Sequence, residues 1–328
     1  MKKIISIILC AVLVCGMFTA CSAKSGEEKE NGKISIVCTV FPIYDWVMNV
    51  LGDKAENADV TMLLDSGADL HSYQPTADDI IKISSCDLFV YVGGESDGWA
   101  EDALKNATNE NMKTINLLET LGDRAKEEEL VEGMQGEEEE EAEEGEEEGP
   151  EYDEHVWLSL KNAAFYVGEI RDAIDGIDAE NKSAYDANAN AYIEKLNALD
   201  AEYQQAVDSA KTKTLLFGDR FPFRYLTEDY SLDYYAAFVG CSAESEASFE
   251  TVTFLAKKVD ELGLKYVMVI ESSDKKIAQT IIDNTESKNQ QILTLDSLQS
   301  TVASDVQSGA SYLGAMEKNL EVLKTALS

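Results

Sequence analysis

The chain has 328 residues, 45% of them apolar, enough for about two domains with sizeable cores. Its 63 acidic and 27 basic residues give a net charge of −36. That excludes a nucleic-acid binder, which needs clustered Lys and Arg against phosphates, and electrostatic adsorption to anionic lipid. Only two histidines are present, so imidazole chemistry has few places to occur.

The N-terminus reads as an address. Lys2 and Lys3 precede the apolar run Ile4–Val14, and small residues follow, the pattern of a secretory signal over residues 1–20. The run is too short to span a bilayer as a stable mature helix. The stretch Phe18-Thr19-Ala20-Cys21 resembles a bacterial lipoprotein signal, with Phe18 where Leu is usual. That resemblance makes Cys21 the lipidated first residue of the mature chain, and two or more acyl chains give lasting anchoring. The alternative is an ordinary signal peptide with an incidental cysteine. Residues 21–32 are polar and aperiodic, as in a tether.

From residue 33 strand and helix patterns alternate. Strands are expected at Ile34–Val40, Val60–Leu64, Leu88–Val92 and Thr114–Leu117, with helices at Tyr44–Leu51, Thr76–Ser85 and Trp99–Ala107. Residues 127–154 break the pattern with 17 acids and no base. Such a block buries little apolar area and repels itself, so a solvated, disordered loop is expected. A helix follows at Asn162–Ile177.

The next segment carries Tyr185, Ala189, Tyr192, Leu196, Leu199, Tyr203, Ala206 and Ala210 at alternating spacings of four and three. That is one apolar stripe on a helix of about 30 residues, roughly 45 Å long. A coiled coil is the bland explanation, but a single run of under four heptads favours a helix packed lengthwise on both halves. Beyond it, strands are expected at Thr214–Gly218, Leu232–Phe238, Tyr266–Ile270 and Gln291–Leu295, with helices at Phe249–Leu262, Lys275–Asn284 and Ser311–Leu327. The alternation implies an α/β protein of two lobes, each with a four-stranded, mostly parallel sheet, joined by one long helix with a cleft between them. The lobes are expected at 33–178 and 211–328, flanking the helix at 179–210.

Cysteines Cys38, Cys86 and Cys241 fall within the lobes. An odd count without CxxC spacing argues against a disulfide framework or a zinc finger, so they are expected as small buried apolar side chains, with one bridge left open.

In parallel α/β domains, ligand groups sit in loops after the C-terminal ends of strands. His71, Asp219, Glu271 and Asp296 follow predicted strands, and His155 follows the acidic loop. Two imidazoles with carboxylates make a site for Zn²⁺ or Mn²⁺; imidazole suits zinc, and added carboxylate shifts the balance toward manganese. The competing explanation for each acid is a cap on the next helix.

The local wording adds to this. His71 lies in Asp65-Ser66-Gly67-Ala68-Asp69-Leu70-His71-Ser72-Tyr73-Gln74-Pro75, and His155 in Tyr152-Asp153-Glu154-His155-Val156-Trp157. These resemble, in order, the two histidine motifs of the zinc/manganese solute-binding lipoproteins of ABC importers. Val40-Phe41-Pro42-Ile43-Tyr44-Asp45, the long helix over Asn181–Ala206 and the closing helix Tyr312–Leu327 are similar too, so the resemblance covers nearly all of 33–328. It implies two α/β lobes around a metal, a permease with its ATPase as partners, a monomer, and lipid anchoring through Cys21 to the outer face of the bacterial cytoplasmic membrane.

There are departures. The family's Pro before each His is here Leu70 and Glu154, which implies less rigid loops. At the third ligand position of the motif stands Arg220, in Gly218-Asp219-Arg220-Phe221-Pro222-Phe223-Arg224. Arginine cannot bind a metal. The expectation is therefore that Asp219 supplies the oxygen, that Arg220 pairs a nearby carboxylate, that Asp296 is the fourth ligand and that Glu271 is the reserve or supports a histidine. The family's His-rich loop is here Glu-rich, which implies either weak gathering of cations or a merely solvated insert. The runners-up are a secreted metal-dependent hydrolase, for which no HExxH or GxSxG signature is present, and a metal-free surface adhesin.

Overall fold

The computed structural model describes residues 32–136, 151–242 and 246–328. The signal, Cys21, nearly all of the tether and the centre of the acidic run lie outside these residues. The first sheet is built from β1 (Ile34–Cys38), β2 (Ala58–Met62), β3 (Leu88–Tyr91) and β4 (Lys113–Asn116), in the order β2-β1-β3-β4 and parallel throughout. Helices α1 (Phe41–Leu51), α2 (Ala77–Ser85), α3 (Trp99–Lys105) and α4 (Leu117–Leu121) connect or follow its strands. Every residue of β3 is buried, as the central strands of a doubly covered parallel sheet must be. Thr76 and Asp79 form a reciprocal capping box that starts α2.

Two long helices follow, α5 (Leu160–Ile177) and α6 (Lys182–Asp208). The second sheet contains β5 (Thr214–Phe221), β6 (Asp233–Val239), β7 (Tyr266–Val269) and β8 (Gln291–Thr294) in the order β6-β5-β7-β8, again parallel. Its helices are α7 (Arg224–Tyr230), α8 (Phe249–Leu262), α9 (Lys276–Asp283), α10 (Ala303–Gln307) and α11 (Tyr312–Ala326). Both sheets have the same strand order, second-first-third-fourth, although no residue-level repeat is visible in the sequence.

The buried stripe of α6 is Tyr185, Ala189, Tyr192, Leu196, Leu199, Tyr203 and Val207. The expected stripe holds up to Tyr203 and then passes to Val207 instead of Ala206. Strict four-three spacing has a period of 3.5, and a straight helix drifts about 20° per heptad against it. After three heptads the neighbouring residue faces the core better.

Helix α6 ties the halves together by name. Tyr192 donates to Asp45 of α1 at 2.9 Å, and Tyr203 donates to the Met316 carbonyl of α11 at 2.6 Å. Asp45 also accepts from Asn49 and from the Tyr312 backbone N–H. Trp46 stacks on Tyr166 of α5 at 5.7 Å and meets Tyr312 edge-on at 5.3 Å. One continuous apolar core therefore runs from Ile34 through α1, α5 and α6 to Leu327, and a smaller one lies under α8 and α9.

The ends of the acidic run are built into the fold, unlike the expected free loop. Glu127 bridges Tyr152 in antiparallel fashion, and Gln135 pairs in parallel with Phe238 on β6. Glu129 and Glu132 stay exposed but pair with Arg224 and Lys258, partners that the local sequence does not show.

Because Tyr192 reaches a buried acceptor, Tyr192→Phe should lower stability by roughly 1–3 kcal/mol. Urea denaturation checks this: the midpoint should fall while the slope stays unchanged.

Candidate metal centre

His71 sits on a single 3₁₀ turn, Leu70–Ser72, in the loop after β2. Asp69 caps that turn, its Oδ1 accepting the His71 N–H at 3.0 Å. Leu70, which replaces the family's Pro, is buried and anchors the turn through its side chain. His155 precedes the buried turn Val156–Leu158 and is itself fully buried. Trp157 holds that turn by donating to the Ser297 carbonyl at 2.9 Å.

Each imidazole is oriented through Nδ1. His155 Nδ1 lies 3.1 Å from Asp153 Oδ1, and the same oxygen accepts the His155 backbone N–H at 2.8 Å. His71 Nδ1 lies 2.8 Å from Ser96 Oγ and 3.5 Å from Glu154 Oε2. Hydrogen-bonding one ring nitrogen to a carboxylate sets the tautomer and leaves the other nitrogen its lone pair. The two Nε2 atoms face each other at 3.3 Å, within hydrogen-bonding distance. Two nitrogens bound at about 2.0–2.1 Å to one tetrahedral ion stand about 3.3–3.4 Å apart.

Cys241 completes the group. It lies in the loop after β6, and the donor atoms of His71, His155 and Cys241 all fall within 4.8 Å of one another. Of the expected small buried cysteines, Cys38 and Cys86 are that, and Cys241 is only partly buried. The adjacent Gly240 leaves room for the site: a Cβ there would stand 3.0 Å from the His155 ring.

The surroundings are strongly acidic. Burial pushes the His155 imidazole down, but Asp153, with help from Glu154 and Glu128, outweighs it and raises the pKa. Burial raises Glu154, yet hydrogen bonds from His71 and Ser96 bring it below the ordinary range. The Cys241 thiol is pushed up by burial and by Asp153, Glu128 and Glu154, which favours its protonated form.

The expected carboxylates lie elsewhere. Asp219 falls in an irregularity of β5 between Phe217 and Arg220, and its side chain turns to Arg220's own N–H at 2.9 Å and to Ser273. Glu271 accepts the Ser297 N–H at 2.8 Å and its hydroxyl at 2.9 Å. Asp296 accepts the Leu298 N–H at 2.8 Å, while its backbone pairs with Asn319 of α11. None of the three joins the donor group around the two histidines. Glu271 instead holds the loop whose Ser297 carbonyl receives Trp157. Arg220 pairs a carboxylate, as expected: its Nη2 lies 2.8 Å from Asp69 Oδ2, so the second sheet grips the His71 turn.

Glu154 was expected to loosen its loop by replacing Pro. It does the reverse. Its Oε1 accepts the Ser96 N–H at 2.9 Å. Gly94, at φ +77°, leaves it space; a Cβ there would stand 2.3 Å from Oε1. The signal that could have found Cys241 is its place just after a strand's C-terminal end, the rule that singled out Asp219.

The family described as the periplasmic component A of the zinc-uptake complex, ZnuA, matches residues 36–326. The chain belongs to this family. It is 35% identical over 324 residues to the zinc-binding lipoprotein AdcA of Streptococcus pneumoniae, covering 99% of this chain and 61% of that protein. The chain thus spans about three-fifths of the AdcA relatives it matches. It is 30% identical over 306 residues to the high-affinity zinc uptake system protein ZnuA of Bacillus subtilis, covering 93% and 91%. The fold is similar to the Zn(II)-bound ZnuA-like domain of the pneumococcal AdcA, with a TM-score of 0.69 at 31% identity over 90% of this chain and 99% of that one.

Because the chain holds only two histidines, each imidazole proton is readable by NMR. Gly94→Ala should displace Glu154 and shift the His71 signals. Gly122→Ala, also at positive φ but in open space, should leave both imidazoles unmoved while costing stability through strain alone.

Proposed function

We propose that this chain is the extracellular receptor of an ABC importer, capturing Zn²⁺ between its two lobes and passing it to a permease driven by an ATPase. The observation that carries the reading is the pair of Nε2 atoms at 3.3 Å with the Cys241 thiol beside them. Their spacing matches one edge of a tetrahedral zinc site. Family membership and the zinc-binding relatives support the same cargo.

The donor set ranks the metals. Imidazole with a thiolate suits zinc, whereas manganese prefers carboxylate, carbonyl and water oxygen. Mn²⁺, left open by the two-histidine pattern, therefore stands second. Capture is reversible and no bond of a substrate is made or broken, so the role is that of a receptor and not an enzyme. In this reading residues 1–20 are a signal, Cys21 carries the lipid, residues 21–32 are the tether, and a monomer is held at the outer face of the membrane. Among the described residues no helix is long and apolar enough to cross a membrane.

Competition with a chelator should show one zinc per chain. His71→Ala and Cys241→Ser should each weaken zinc by at least about 100-fold, and Asp153→Asn by about 10–100-fold through the released imidazole. Asp219→Asn and Asp296→Asn should stay within a few-fold of the parent. No stoichiometric zinc would sink the proposal.

Protons compete with the metal for imidazole and thiol. Since Asp153 and its neighbours raise His155, affinity should begin to fall on the alkaline side of the ordinary imidazole pKa, about 6.5, and continue falling as pH drops. The same titration at a series of pH values measures it; a flat profile would contradict imidazole ligation.

A further inference from the structure

The segment 126–136 leaves the first lobe and lies along the second. Lys126 donates its backbone N–H to the Tyr225 hydroxyl at 3.0 Å and pairs with Glu228 at 2.9 Å. Glu129 pairs with Arg224, and Glu132 lies 3.7 Å from Lys258. Gly133, at φ +82°, lets the chain pass over Phe254, where a Cβ would stand 1.9 Å from the ring. Gln135 then donates its N–H to the Ala237 carbonyl at 2.9 Å, extending the edge of β6. The returning strand closes the base: Glu128 N–H to the Glu151 carbonyl and Asp153 N–H to the Lys126 carbonyl, both at 2.9 Å.

Two side chains of this strap reach the loop that carries Cys241. Glu128 Oε1 accepts the Cys241 backbone N–H at 3.0 Å. Gln135 Oε1 accepts the Ser248 N–H at 2.8 Å. The loop between β6 and α8 is thus held near both of its ends by acceptors from the opposite lobe. A cysteine has a short side chain, so the place of its sulfur follows the place of its backbone.

We propose that Glu128 and Gln135 are positioning residues for the Cys241 ligand, so that the base of the acidic insertion, and not only the lobe that bears the cysteine, sets the sulfur's distance from the two imidazoles. This rests on the reading of His71, His155 and Cys241 as the metal ligands. It gives residues of the acid-rich insertion a directed role: they orient a ligand instead of merely gathering cations at the surface.

Cobalt(II) separates this from general stability, because a thiolate on cobalt adds a charge-transfer band that imidazole ligands do not. In the double variant Glu128→Ala, Gln135→Ala the band should weaken and zinc affinity should fall by about 10–100-fold, the scale for loss of groups that orient a ligand. Glu128→Gln alone keeps an acceptor for the Cys241 N–H and should retain band and affinity, which also guards against a double variant that fails to fold. An unaltered band and affinity in the double variant would overturn the strap proposal. A parent protein without the band, or a Cys241→Ser variant with the parent's spectrum, would instead overturn the ligand reading beneath it. Loss of the band in Glu128→Gln would mean that charge, and not the backbone hydrogen bond, acts at this position, and would overturn the proposal as stated.

Discussion

Two ring nitrogens from loops 84 residues apart are held 3.3 Å from each other, and the rest of the structure can be read from what that demands. Such an approach is unstable in a jointed molecule. It needs a frame that does not let the lobes drift. Helix α6 supplies it, laying a stripe from Tyr185 to Val207 along elements of both halves, with tyrosine hydroxyls reaching Asp45 on one side and the Met316 carbonyl on the other. The core that surrounds it is continuous across the halves, so opening them would expose buried apolar side chains to water and is resisted.

Within that frame the polar groups form layers. The imidazoles and the thiol face one point, and behind them stand Asp153, Glu154, Glu128 and Asp69. A desolvated dication is costly unless negative charge is near, and these acids would supply it without all of them touching a bound ion. The acids also fix direction. Asp153 sets a tautomer, Glu154 braces His71 and Ser96 together, and Asp69 is shared between the His71 turn and Arg220. Arg220, which stands where a ligand would be expected, thus works as a bolt between the second sheet and the first histidine loop. A cysteine from the next loop lies beside the imidazoles in its stead.

The two-lobed α/β architecture, the parallel sheets and nearly every strand were legible in the sequence, because buried parallel strands and an amphipathic helix leave periodic apolar patterns. Both histidines were legible from their motifs. Asp219, Glu271 and Asp296 were drawn by the same strand-end rule that fits Cys241, and that rule does not say which way a side chain points. Asp219 sits in a bulge of β5, and the carboxylates of Glu271 and Asp296 accept from backbone N–H groups of the loop 297–300.

The features readable from the chain are therefore local and periodic: the alternation of elements, the long stripe, the acid excess and the histidine loops. That Cys241 lies beside the histidines, that Arg220 bolts a turn and that Glu128 hydrogen-bonds the Cys241 backbone came only from the folded chain. The difference is one of range. Apolar periodicity is written within a few turns of chain, whereas a metal centre is assembled from single atoms of loops far apart in sequence, whose meeting depends on how the sheets are set against their shared helix.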